Sequence, residues 1–138
     1  MKKFEFLPHT ADVKFRAYGK TLEQAFENAA LATFQVMSTQ KIKKVITKDI
    51  SVTAHDYQAL LYCFLEELLF LLDTENFFLS TANVSLLEKD DVLFLQANIF
   101  GDNVKKYETH TYVKAVTYHE MFVKKEKQKW IIQVVLDV

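Results

Sequence analysis

Two hydrophobic periods divide the chain. Residues 2–7, "KKFEFL", set Phe4 and Phe6 against Lys3 and Glu5, and residues 12–19, "DVKFRAYG", set Val13, Phe15 and Ala17 against Lys14, Arg16 and Tyr18. Alternation of this kind predicts two strands, and Pro8 closes the first because it has no N–H to give to a ladder. Residues 9–12 are then the connection between them. From Thr21 the period lengthens: Leu22, Phe26, Ala29, Thr33 and Met37 fall on one helical face, which Ala25, Ala30 and Phe34 widen. Thr21 followed by Gln24 reads as a capping box, and Gly19 lets the chain turn into it.

Residues 44–54, "KVITKDISVTA", return to extended character. A longer helix is predicted from an N-cap at Asp56 to about Asp73, with Leu60, Leu61, Phe64, Leu65, Leu68, Leu69 and Leu72 spaced by threes and fours. Glu66 and Glu67 interrupt it, so it suits packing on a sheet better than crossing a bilayer. After Asn76 everything reads as strand: "FFLSTANVSLL", "VLFLQANIF", "TYVKAVTY", "MFVKKEK" and "KWIIQVVLD", with "EKDD" and "KEKQK" as hairpin turns. Helices early and strands in a late run predict an α+β two-layer sandwich, two helices on a largely antiparallel β-sheet. With two glycines and one proline in 138 residues there is no visible linker, and residues 1–138 read as a single domain.

Composition changes this picture little. Half the residues are hydrophobic and 12 are Phe, which excludes disorder as the main state. The formal charge of -1 supplies no global field toward nucleic acid or anionic membrane, so a link to RNA would be indirect or local. Cys63 is the only cysteine, which excludes an internal disulfide and a cysteine-cluster zinc site; its apolar neighbours favour a buried, inert thiol. The N-terminal stretch has no apolar signal core, and no apolar run approaches about 18 residues, so the expectation is a soluble cytoplasmic protein without membrane partners.

The common nucleotide, hydrolase and zinc signatures are absent: no GxxxxGK[ST], GxGxxG, GxSxG or HExxH. What remains is acidic. Asp137 adjoins Val138, whose terminal carboxylate adds a second anion, and two such charges repel unless a cation compensates. If this last strand ends beside the 9–12 connection, Asp12, Asp137 and the Val138 carboxylate meet. An all-oxygen set of that kind suits a hard divalent cation, Ca²⁺ or Mg²⁺. A solvated Asp137 at the chain end with Asp12 capping a turn accounts for the same residues, since surface acids are the rule. His9 stands three residues from Asp12, His55 beside a helix cap, and His110 and His119 flank residues 111–118. Lys114 reads as a cation inside a hydrophobic strand, either paired with Asp12 or Asp137 or guarding a sheet edge.

Taken together, "FLPHTADVKFRAYGKTLEQAFENAA", "LLYCFLEELLFLLD", "VKAVTYHEM" and "WIIQVVLDV" resemble the archease family, in the family's order and from Phe6 to Val138. The resemblance implies a small α+β protein, not itself an enzyme, that assists an RtcB-type RNA ligase in tRNA splicing and RNA repair. There it promotes transfer of GMP from GTP to the ligase's active-site histidine, so that the ligase turns over repeatedly. It further implies a metal site with Asp12 as the acid of HTAD, Asp137 as the C-terminal acid and Val138 as the terminal ligand, with Ca²⁺ favoured. His9, Lys114 and His119 are expected near that site as cofactor-binding groups. Family members usually carry a histidine further upstream of KAVTYH than His110, so no role passes to His110. The rival readings are a stand-alone metal-dependent hydrolase and a chaperone-like binding domain; weak self-association is compatible with any of them.

Overall fold

The computed structural model describes residues 1–138. Its elements run β1 (Phe4–Leu7), β2 (Val13–Gly19), α1 (Leu22–Gln35), β3 (Ile46–Ala54), α2 (Tyr57–Glu75), β4 (Phe77–Lys89), β5 (Val92–Asn103), a short 3₁₀ turn at Val104–Lys106, β6 (Ala115–Glu126) and β7 (Lys129–Asp137). The fold class is the α+β arrangement that the periodicity predicts. The strands form two antiparallel sheets rather than one: β1-β2-β7-β6 and β3-β5-β4. Each helix packs against strands of both sheets, α1 on β2, β7 and β4, and α2 on β6, β3, β4 and β5. A single cluster of 35 buried residues joins them, which explains why one apolar face per helix had to be so wide.

Local chemistry fixes the helix ends. The Thr21 side chain accepts from the Gln24 amide at 3.1 Å, while Gln24 Oε1 reaches back to the Lys20 amide at 3.0 Å. Asp56 caps α2 by accepting from the Ala59 amide at 2.7 Å, and Asn76 ends it in the left-handed conformation at φ 57°. Asp90 and Asp91, both at positive φ, make the tight β4–β5 turn, and Lys127 turns β6 into β7.

The late strands differ from the alternation in one place. Residues 111–118 and 121–127 do not form two strands: residues 111–114 lie outside the sheet, and the rest make the single strand β6. Within it the pairing with β7 breaks between Thr117↔Val135 and Phe122↔Gln133, so Tyr118, His119, Glu120 and Met121 all face Val134 alone. That bulge is the feature that positions the chemistry. Cys63, on α2, is partly exposed rather than buried.

Candidate metal centre

Register brings the two ends of the chain together. β2 pairs with β7 through Val13↔Leu136, Lys14↔Val135 and Phe15↔Val134. Phe15, Val134 and Leu136 point into the core, fully shielded, so the alternate residues Asp12, Lys14, Arg16, Gln133 and Asp137 share the outer face. Asp12, in the bend just before β2, and Asp137, at the end of β7, follow the last recorded pair, Val13↔Leu136, at the same end of these neighbouring strands. On its other side Asp137 pairs with Ala115 of β6, and the Lys114 amide donates to the Asp137 carbonyl at 2.8 Å. The Asp12 and Asp137 carboxylates and the Val138 terminus are oxygen donors, the chemistry a hard divalent cation such as Ca²⁺ or Mg²⁺ takes.

Above this edge the bulge gathers a second group. Glu120 sits at φ 54°, left-handed backbone that is uncommon outside glycine. This reversal lets His119 and Glu120 act on the same side, which adjacent residues of a regular strand cannot do. The bulge is pinned from both directions. Tyr118 stacks on Tyr62 of α2 with ring centroids 4.5 Å apart, and the Met121 carbonyl accepts from Gln58 at 3.2 Å. Gln133, itself held by Arg16 Nε at 2.9 Å, donates to the Glu120 carbonyl at 2.7 Å. Glu66 of α2 accepts from the Val116 amide at 2.7 Å and fixes the strand just before the bulge.

The Glu120 carboxylate is the meeting point. Lys14 Nζ donates to Oε1 at 3.1 Å, and Nε2 of both His9 and His119 lies 3.1 Å from Oε2. The His9 bond, then the Lys14 bond, hold the Glu120 carboxyl below the usual carboxylate range. His9 also looks toward the acidic edge: its Nδ1 is 3.8 Å from Asp12 Oδ2, is shielded from solvent and has no hydrogen-bond partner. The two imidazoles stand edge to face with centroids 6.2 Å apart. His9, His119 and Glu120 together could hold a metal ion.

Of the residues singled out in the sequence, His9 and His119 meet at Glu120, His9 also lies near Asp12, the Val138 side chain packs against the core, and Asp137 is at the nearby end of β7. Lys114 is there only through its backbone: its side chain is exposed and makes no ion pair with Asp12 or Asp137, because residues 111–114 have left the strand. His110 is exposed, and its amide donates to the Met37 carbonyl at 2.8 Å, away from this group. Glu120 and Lys14 were missed. Lys14 shares the period-two face of Asp12 and was detectable; Glu120 follows His119 directly, and regular alternation would have sent it the other way.

A family model for the archease protein family (MTH1598/TM1083) matches residues 4–138. The chain is 43% identical over 140 residues to the protein archease of Methanothermobacter thermautotrophicus and 40% identical over 142 residues to that of Pyrococcus furiosus, each covering both chains fully. Among solved structures, protein 1598 of Methanobacterium thermoautotrophicum superposes with a TM-score of 0.86 at 42% identity over all of both chains. A Thermotoga maritima protein described as "an archease, possible chaperone" shares the fold at a TM-score of 0.63 and 14% identity, covering 96% of this chain and 94% of its own. No helix is long and apolar enough to cross a membrane. On the strength of the full-length family match and the 40% relatives, the chain belongs to the archease protein family.

Proposed function

We propose that this archease acts as a non-catalytic activator of an RtcB-type RNA ligase, raising guanylylation of the ligase's active-site histidine from GTP in tRNA splicing or RNA repair. The observation that supports the reading is the pairing of Val13 with Leu136, which brings the bend holding Asp12 and the chain end holding Asp137 and Val138 to the same end of β2 and β7. Three anionic groups on one sheet edge, with no lysine or arginine paired to Asp12 or Asp137, call for a cation from outside the chain. A divalent ion, Ca²⁺ or Mg²⁺, would neutralise them and offer remaining coordination positions to phosphate oxygens at the ligase site. The chain's own part is to hold that edge rigid: β2, β7 and the start of β6 are paired up to the last residues before it.

The test is guanylylation of a purified RtcB-type ligase with GTP, with and without this protein. Stimulation is expected, lost on chelation and restored by Ca²⁺ or Mg²⁺. Asp12→Ala and Asp137→Ala should each abolish it while leaving the far-ultraviolet circular dichroism unchanged. Full stimulation by Asp12→Ala overturns the reading. A chaperone-like role, the description attached to the Thermotoga relative, instead predicts suppression of client aggregation that survives Asp137→Ala.

A further inference from the structure

We propose that His9 Nε2, His119 Nε2 and Glu120 Oε2 form a second metal site, a two-nitrogen, one-oxygen set for a borderline transition-metal ion of the Zn²⁺ type, separate from the oxygen set of Asp12, Asp137 and Val138. The proposal stands on this group's own geometry and does not depend on the ligase reading.

The donor spacing fits. Both imidazole nitrogens lie 3.1 Å from the same carboxylate oxygen, and all three ligand atoms fall within 4.8 Å of one another. Ligands about 2.0–2.1 Å from a tetrahedral zinc ion stand about 3.3 Å apart, so an ion enters with only a small outward movement of the side chains. His119 and Glu120 are partly exposed at the sheet surface, which leaves an entry path and a fourth position for water or a partner's donor.

The tautomers of His9 give the second argument. With its proton on Nε2, His9 donates to Glu120, but a bare Nδ1 lone pair is left shielded and turned toward the Asp12 carboxylate 3.8 Å away. With the proton on Nδ1, Asp12 is answered, yet the Nε2 lone pair then faces Glu120 Oε2 at 3.1 Å. Neutral imidazole cannot satisfy both sides. A metal ion between Nε2 and Oε2 resolves the conflict: Nδ1–H turns to Asp12, the outer carboxylate that a metal-bound histidine ordinarily uses. Lys14 meanwhile holds Oε1, which leaves Oε2 as the single ligating oxygen. A second proton on His9 would also satisfy both nitrogens, and the experiment separates proton from metal.

The ligand types set the selectivity. Imidazole nitrogen favours Zn²⁺ and its neighbours over Ca²⁺ and Mg²⁺, whereas the oxygen edge has the opposite preference. The backbone supports the site as it would a designed one, since the positive φ at Glu120 is held by Gln133, and the bulge by Tyr62 and Gln58.

The test is calorimetric titration of the chelator-treated full-length protein with Zn²⁺ in excess Mg²⁺, with Co²⁺ as an absorption probe. One saturable zinc ion per chain is expected, with visible Co²⁺ bands of imidazole ligation. His119→Ala and Glu120→Gln should each weaken zinc by at least about tenfold, no less than loss of an outer partner does. His55→Ala, His110→Ala and Asp137→Ala should leave it unchanged. Absence of saturable zinc binding, binding that His119→Ala leaves intact, or binding lost in His55→Ala or His110→Ala overturns the proposal. Ligase stimulation in the same variants keeps the two readings apart: Asp137→Ala that binds zinc but does not stimulate breaks neither, and His119→Ala that stimulates without binding zinc separates the two sites.

Discussion

Asp102 and Glu120 are both carboxylates ringed by donors, and the contrast between them separates a structural cluster from a site. Asp102, at the end of β5, is 1% exposed and receives the Tyr107 hydroxyl at 2.7 Å, the Asn103 amide at 2.8 Å and Lys106 Nζ at 3.1 Å. Tyr107 in turn accepts from the Lys43 amide at 3.0 Å, so the loop after β5 is tied to the chain between α1 and β3. Every group in that cluster has its partner. Glu120 is exposed, its network ends on a shielded His9 nitrogen with none, and its backbone is held in an uncommon conformation. Polar groups buried and satisfied stabilise a fold; a converging, exposed set that leaves a shielded nitrogen without a partner is the kind of group where ligands are taken up.

Four substitutions test that contrast. The largest effect belongs beside Asp102: a Cβ on Gly101 would stand 2.1 Å from the Phe78 carbonyl oxygen and 2.9 Å from the Phe77 ring. Gly101→Ala should cost about 3 kcal/mol or more in urea unfolding, the upper end of overpacking penalties, because the clash is with backbone that cannot move aside. Asp102→Ala comes next, since it strips the acceptor from three donors at once.

Asp102→Ala should also alter the acid limb. The Tyr107 bond is the main reason the Asp102 carboxyl sits below its usual range. A depressed folded-state pKa gives stability that is present above the ordinary carboxylate value, about 3.9, and is lost as pH falls through the folded value. The wild-type protein should therefore shed this contribution below about pH 4, and Asp102→Ala should show a flatter profile there. An unchanged acid limb would remove Asp102 from the structural side of the comparison.

At the other carboxylate the main expected effect appears only with metal. Glu120→Gln should lower the urea midpoint of the metal-free protein only slightly, through weakened exposed pairs with Lys14 and His9. Wild-type protein at zinc ten times its dissociation constant should gain about 1.4 kcal/mol, and Glu120→Gln much less under the same conditions. Smallest of all is Lys106→Ala: the lysine is largely exposed, and its pair with Asp102 should be worth less than about 1 kcal/mol and fade with salt.

Strand and helix identities were readable because burial imposes a period. The apolar faces of α1 and α2, the caps at Thr21 and Asp56 and the hairpin turns at residues 90–91 and 127–128 are all local chemistry, set by residues within a few positions of one another. The nearness of the Asp12 bend to the end of β7 was foreseeable for a different reason: each adjoins an alternating strand, and the antiparallel pairing of Val13 with Leu136 brings those two strand ends together. The division into two sheets was not legible, because hydrophobic period fixes which face of a strand is buried but not which strand lies beside it.

Local patterning was enough for both helices, most of the strands and their apolar faces, since these follow from neighbouring side chains and backbone propensity, but not for residues 111–127, where two expected strands are one. Only tertiary structure decided that Glu120 joins His9 and Lys14, 111 and 106 residues away. The physical reason is the bulge in β6: four residues crowd opposite Val134, Glu120 turns to positive φ, and the alternation that would have sent its carboxylate away from His119 is broken there. That break depends on Gln133, Tyr62 and Gln58 closing around it from β7 and α2, contacts that exist only once the chain has folded.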